Sequence, residues 1–105
     1  MEGNNMETRQ SITNILASNI KFLRINTKVE EPFGKVKYMS QRHLAELIGS
    51  ITQQISKFEL GKNELGASQL YKIAKIFGVS VDSLYDTELN KKEFSKTIMN
   101  DICLM

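Results

Sequence analysis

Thr52, Gln53, Ser56 and Lys57 place an unusual density of hydrogen-bonding side chains within six residues. At 100° per residue they share one side of a helix, while Ile51, Ile55 and Phe58 gather within about 60° of each other on the other. The apolar stripe can pack the helix down. The polar side then offers hydroxyl, amide and ammonium groups, which suit base edges and phosphates. A second amphipathic segment, from Gln41 to Ile48, precedes it across a single glycine, Gly49. Charge follows the same map. The net charge is +2, but residues 1–20 carry −1, residues 21–75 carry +5 and residues 76–105 carry −2. A solvated surface would account for the charge alone. Around this stretch, the basic excess also has the form of an electrostatic footprint for phosphates.

Catalytic chemistry finds little support in the residue types. His43 is the single histidine and reads as a surface residue, because ligand partners for it are absent. Cys103 is the single cysteine, so no internal disulfide can form, and it reads as a small packing residue or a free thiol. There is no Cys/His cluster, no Gly-rich phosphate loop and no supported Ser/His/Asp set. The expectation is a protein that is not an enzyme and uses no metal or cofactor. No apolar run approaches the ~18 residues of a membrane span. The first ten residues, MEGNNMETRQ, lack the apolar region of a signal peptide. A cytoplasmic protein without membrane contact is expected. A chain of 105 residues with 41% hydrophobic content suits one domain with a small core.

Stepping outward from Gly49, helical periodicity supplies the elements that must hold this unit. Ile12, Ile15, Leu16, Ile20 and Leu23 predict a first helix to about Asn26, capped by Ser11 or Thr8. Pro32 and Gly34 break the pattern, so residues 27–39 are expected as an inserted loop, with two short extended arms around a Pro-Phe-Gly turn. Ser40 caps a second helix from Gln41, and Gly49 ends it in a left-handed conformation. Ser50 to Gln53 reads as a capping box for a third helix over residues 51–60. Leu70, Ile73, Ala74 and Phe77 predict a fourth, and Ser80 caps a short fifth through Tyr85. Phe94, Ile98 and Ile102 recur every four residues, which predicts a C-terminal amphipathic helix. Residues 1–10 are expected to be a flexible N-terminus, 11–86 the main domain and 87–105 an amphipathic tail. The apolar side of that tail needs either its own core or another chain.

From Leu16 to Tyr85 the chain resembles the Cro/repressor-type (Xre-like) helix-turn-helix family. The resemblance rests on NIKFLR, SQRHLAELIG, ISKFELGKN and LYKIAKIFGVSVDSLY, and covers about two-thirds of the chain. It implies an all-α, five-helix repressor-like DNA-binding domain, to which periodicity adds the C-terminal helix. It also implies that Arg24 and Glu59, each set among apolar neighbours, pair across the first and third helices. Three departures stand out. The first two helices are separated by about ten extra residues. Ser50-Ile51 inverts the usual apolar-then-small order, which leaves the start of the third helix open by one residue. Leu65 stands where a proline is common.

The resemblance makes the third helix the one that enters the major groove of double-stranded DNA. Gln53 then suits adenine N6 and N7, Lys57 guanine O6 and N7, and the Thr52 methyl a thymine methyl. Gln41, Gln54, Ser56, Lys62 and Asn63 become phosphate or secondary contacts, joined by Lys35 and Lys37 from the inserted loop. One such module reads half a site, so a homodimer on a palindrome is expected. The function implied is a transcriptional regulator, a repressor before an activator. The alternative is an antitoxin or other interaction module whose residues 87–105 bind a partner protein.

Overall fold

The computed structural model describes residues 8–99. Along them run α1 (Arg9–Ile25), β1 (Thr27–Glu30), β2 (Val36–Tyr38), α2 (Gln41–Leu47), α3 (Thr52–Glu59), α4 (Ala67–Phe77) and β3 (Lys96–Met99). This corrects the expected all-α, five-helix fold. Four α-helices carry a three-stranded mixed sheet of order β2-β1-β3.

The helices form where caps and periodicity agree. Thr8 caps α1 reciprocally with Ser11: the Ser11 N–H donates to Thr8 Oγ1 at 3.0 Å and the Thr8 N–H to Ser11 Oγ at 2.9 Å. Ser40 Oγ accepts the His43 N–H at 3.0 Å and starts α2. Leu16, Ala17, Ile20 and Leu23 of α1 meet Leu44 and Ala45 of α2, Ile55 and Phe58 of α3, and Ile73 and Phe77 of α4 in one buried core.

The inserted segment is a β-hairpin. Thr27 Oγ1 donates to the Leu23 carbonyl at 2.8 Å, which turns the end of α1 directly into β1. β1 and β2 pair antiparallel, with Lys28 opposite Tyr38, Val29 opposite Lys37 and Glu30 opposite Val36. Val29 and Met39 are buried and root the hairpin in the core.

The expected fifth helix is a single 3-10 turn, Asp82–Tyr85. Asn19, buried in α1, explains the stop. Its Nδ2 donates to the carbonyls of both Leu84 and Asp86 at 2.8 Å. The Leu84 carbonyl would otherwise accept an N–H of a continuing helix, whereas the Asp86 carbonyl also takes the Leu89 N–H at 3.1 Å.

The tail is also corrected. Residues 89–91 form a 3-10 turn, and residues 96–99 form β3, which pairs parallel to β1 with Val29 opposite Ile98. A spacing of four is a multiple of two, so Phe94 and Ile98 share a face in a strand as well as in a helix. β-branched Thr97 and Ile98 favour the strand. Phe94 packs on the same chain, 6.3 Å from the Phe22 ring and 6.5 Å from the Phe77 ring between centroids. Ile102 and Cys103, and most of the expected flexible N-terminus, lie outside the described residues. Among those described, no helix is long and apolar enough to cross a membrane.

Candidate nucleic-acid interface

α2 and α3 are joined by a tight turn that only a left-handed residue closes well. Gly49 has φ +72°, and the Ser50 N–H reaches back to the Ala45 carbonyl at 2.8 Å. This 6→1 bond is a Schellman closure of α2, and it redirects the chain within one residue. Ala45 of α2 is fully buried beside this turn.

α3 is then clamped from below. Arg24 Nε donates to Glu59 Oε2 at 2.7 Å and Arg24 Nη2 to Glu59 Oε1 at 2.9 Å, a bidentate pair with both side chains nearly buried. The remaining guanidinium nitrogen, Nη1, donates to the Met39 carbonyl at 2.9 Å. Gln41 Nε2, at the start of α2, adds a bond to Glu59 Oε1 at 2.8 Å. The Arg24–Glu59 pair thus ties together α1, the base of the hairpin, α2 and α3.

The clamp and the core consume the inner side of α3. Thr52, Gln53 and Lys57 are exposed and Ser56 is half-buried. Together they occupy an arc of about 140° on the helix. Lys57 and Lys62 make no ion pair among the described residues, so both ammonium groups are available to an anion.

Three other candidates are engaged internally. Gln54 does not stand on the polar arc. Its Oε1 accepts from Ser50 Oγ and, at 3.2 Å, from Gln69 Nε2, which links the turn to α4. Asn63 donates to the Gln54 carbonyl at 3.5 Å, and its Oδ1 is buried without a partner among the described residues. Gln41 sits at the N-terminal end of α2 with one amide hydrogen committed to Glu59. Lys35 and Lys37 are exposed on the hairpin, where Lys37 lies 3.8 Å from Glu31.

The start of α3 differs from the expected capping box and range of 51–60. Ile51, not Ser50, is the N-cap residue, with φ −118° and ψ 155°. An extended N-cap residue does not follow the helical stripe. Ile51 is therefore 64% exposed beside Thr52, instead of buried with Ile55. Leu60 is likewise exposed, at the other end of the same arc. Sequence periodicity missed both apolar groups. The Ser50-Ile51 inversion was the available signal, because it puts a large apolar residue where a cap should stand.

Residues 37–84 match the helix-turn-helix family model. An uncharacterized transcriptional regulator from the ATPase CF(0) region of Rhodospirillum rubrum is 45% identical over 47 residues, covering 45% of this chain and 44% of that protein. An HTH-type transcriptional regulator of Sinorhizobium fredii is 42% identical over 53 residues, covering 50% of this chain and 37% of the relative. One from Bacillus subtilis is 33% identical over 70 residues, covering 64% and 60%. The match thus spans less than half the length of the first two relatives. Residues 37–84, with Gly49 at the turn and Glu59 under the Arg24 fork, thus match the helix-turn-helix family and are similar to Cro/repressor-type, Xre-like regulators.

Proposed function

We propose that this protein is a sequence-specific DNA-binding transcriptional regulator that inserts α3 into the major groove. The observation that carries the reading is the Arg24–Glu59–Gln41 clamp. It fixes α3 on its buried side and leaves Thr52, Gln53 and Lys57 exposed together. Gln53 can bond adenine in two places, Lys57 can donate to guanine, and the methyls of Thr52 and Ile51 can meet thymine. Lys62, Lys35, Lys37 and the N-terminal end of α2 then hold phosphates. Gln54 supports the turn from inside.

The reading continues to a homodimer and a repressor. One α3 covers only a half-site, and a two-fold pair reads two half-sites about one helical turn apart. A small domain that occupies DNA blocks access to it without needing a second partner, so repression is the simplest output. The antitoxin alternative relied on an apolar tail seeking a protein. Phe94 and Ile98 pack against this chain's own core, which favours the regulator reading over that alternative.

Selection of bound duplexes from a random pool, read by sequencing, tests the proposal. A palindromic consensus is expected, with affinity falling steeply as salt rises. Recovery of no enriched sequence would refute it.

A further inference from the structure

The hairpin tip concentrates two costs on one residue. Glu31 to Gly34 close a turn, with the Gly34 N–H on the Glu31 carbonyl at 3.3 Å and Pro32 in the second position. Phe33 occupies the third with φ +72° and ψ 20°. A positive φ at the third position of such a turn ordinarily falls to glycine. Phe33 is the only non-glycine with positive φ among the described residues, and its relative exposure is 105%. Gly34 stands next to it, so the chain uses a glycine one place away and still keeps an aromatic in the strained position. Backbone strain and a bare apolar ring at one site point to a task for the ring.

The surroundings select the partner. Met39, at the hairpin's base, is bonded through Arg24 to Glu59 of α3, so the hairpin is held in fixed relation to the proposed reading helix. β2 leads straight into Ser40 and Gln41, the end of α2 proposed to meet a phosphate. From Met39 to Phe33 the ribbon reaches about 20 Å. That is enough to cross the sugar-phosphate strand beside the major groove and enter the ~6 Å minor groove beyond it. Lysines stand on both faces of the ribbon. Lys35 and Lys37 lie on one face, and Lys28 lies on the other over the Tyr38 ring at 5.7 Å. A narrow groove walled by two phosphate strands calls for cations on both sides of whatever enters it.

We propose that the β1–β2 hairpin is a second DNA-binding element, whose Phe33 wedges into the minor groove flanking the site read by α3. The ring contacts the sugar walls or a base step, as apolar wedges do in minor-groove binding, while Lys28, Lys35 and Lys37 meet the bordering phosphates. The family match begins at Lys37, so residues 27–36 of the hairpin lie outside it.

This proposal rests on the DNA-binding reading, and its test separates the two. The duplex selected by the full chain is made in two lengths, one trimmed to the selected site and one with ten further base pairs on each side. The intact protein should bind the long form at least about tenfold more tightly and protect a flanking minor groove from hydroxyl radicals. Phe33→Ala should lose that gain and that protection while selecting the same core sequence. Phe33→Gly should lose them too, yet melt at an unchanged or higher temperature, because glycine relieves the turn. A ring with a purely structural role would lower the melting temperature instead. If the intact protein selects no duplex, both readings fall. If it selects one but binds both lengths equally, or the two variants match it on the long duplex, the hairpin assignment alone falls. It also falls if the variants lose self-association, since a second copy would then be what covers Phe33.

Discussion

Arg24 and Glu59 lie 35 positions apart in sequence and meet through two parallel hydrogen bonds of 2.7 and 2.9 Å. With both side chains nearly buried, neither charge has water as a substitute partner. Removing one strands the other. Glu59→Leu and Arg24→Met should each destabilise the fold by about 3–5 kcal/mol. The double variant Arg24→Met, Glu59→Leu should recover much of that loss, although the Met39 carbonyl and Gln41 still lose their partners. Urea unfolding of the four proteins measures this coupling directly. Costs that simply add would contradict it.

Gln53 and Gln54 are sequence neighbours with opposite surroundings. Gln53 is exposed on the polar arc of α3, whereas Gln54 binds Ser50 and Gln69. Gln53→Ala should leave the melting temperature nearly unchanged and relax the preferred base at one position of each half-site, worth about 1–3 kcal/mol of discrimination. Gln54→Ala should leave base preference intact and lower stability by about 1–2 kcal/mol, through the lost bonds to the turn and α4. Parallel pool selections and thermal melts of the two variants check the contrast. A changed consensus with Gln54→Ala would mean that the polar arc is drawn wrongly.

Asn19 stops the 3-10 turn at Tyr85 by holding two carbonyls with one amide nitrogen. Asn19→Ala should cost about 2–3 kcal/mol, because the Leu84 carbonyl loses a buried bond and the Asp86 carbonyl keeps only the Leu89 N–H. Asn19→Asp should be worse at neutral pH, since a carboxylate would face two carbonyl oxygens. That environment raises its folded-state pKa above the unfolded value. The penalty is then present at high pH and shrinks as pH falls and the acid regains a proton to donate. Unfolding curves across pH 4–8 should show Asn19→Asp approaching the parent on the acid side. A pH-independent gap between the two would contradict this account.

The sequence was most legible where local chemistry and tertiary packing ask for the same thing. Ser40, Gly49 and the stripe of Leu44, Ile55 and Phe58 each have a local reason for their position, and all lie in the helix-turn-helix unit. It was least legible where a long-range partner chose between local options. A spacing of four between Phe94 and Ile98 allows helix or strand, and β1 as a parallel neighbour decided for strand. Ser80 caps its turn as a helix start would, but Asn19, sixty-one residues earlier, takes the Leu84 carbonyl needed to continue it. Within the site, helical phase placed Thr52, Gln53 and Lys57 on one face. It could not show that Ile51 sits just outside the helix and turns outward.

The same long-range pairing yields a prediction for the tail. In β3, Thr97 stands opposite Lys28 and Ile98 opposite Val29, so the tail completes the sheet from which the hairpin extends. A contact made only with another subunit would behave differently from one made within the chain. Ile98→Asp places a charge against the buried Val29 region and should lower the stability of each protomer by about 2–4 kcal/mol. Thr97→Pro removes an N–H from the strand and should also destabilise it, by about 1–3 kcal/mol. Both losses should be independent of protein concentration, because the broken contacts are within one chain. If the melting temperature of Ile98→Asp instead matched the parent at low concentration and fell behind only as concentration rose, the tail would be serving a partner subunit. Sedimentation velocity run on the same samples would report that change as a shift from dimer to monomer.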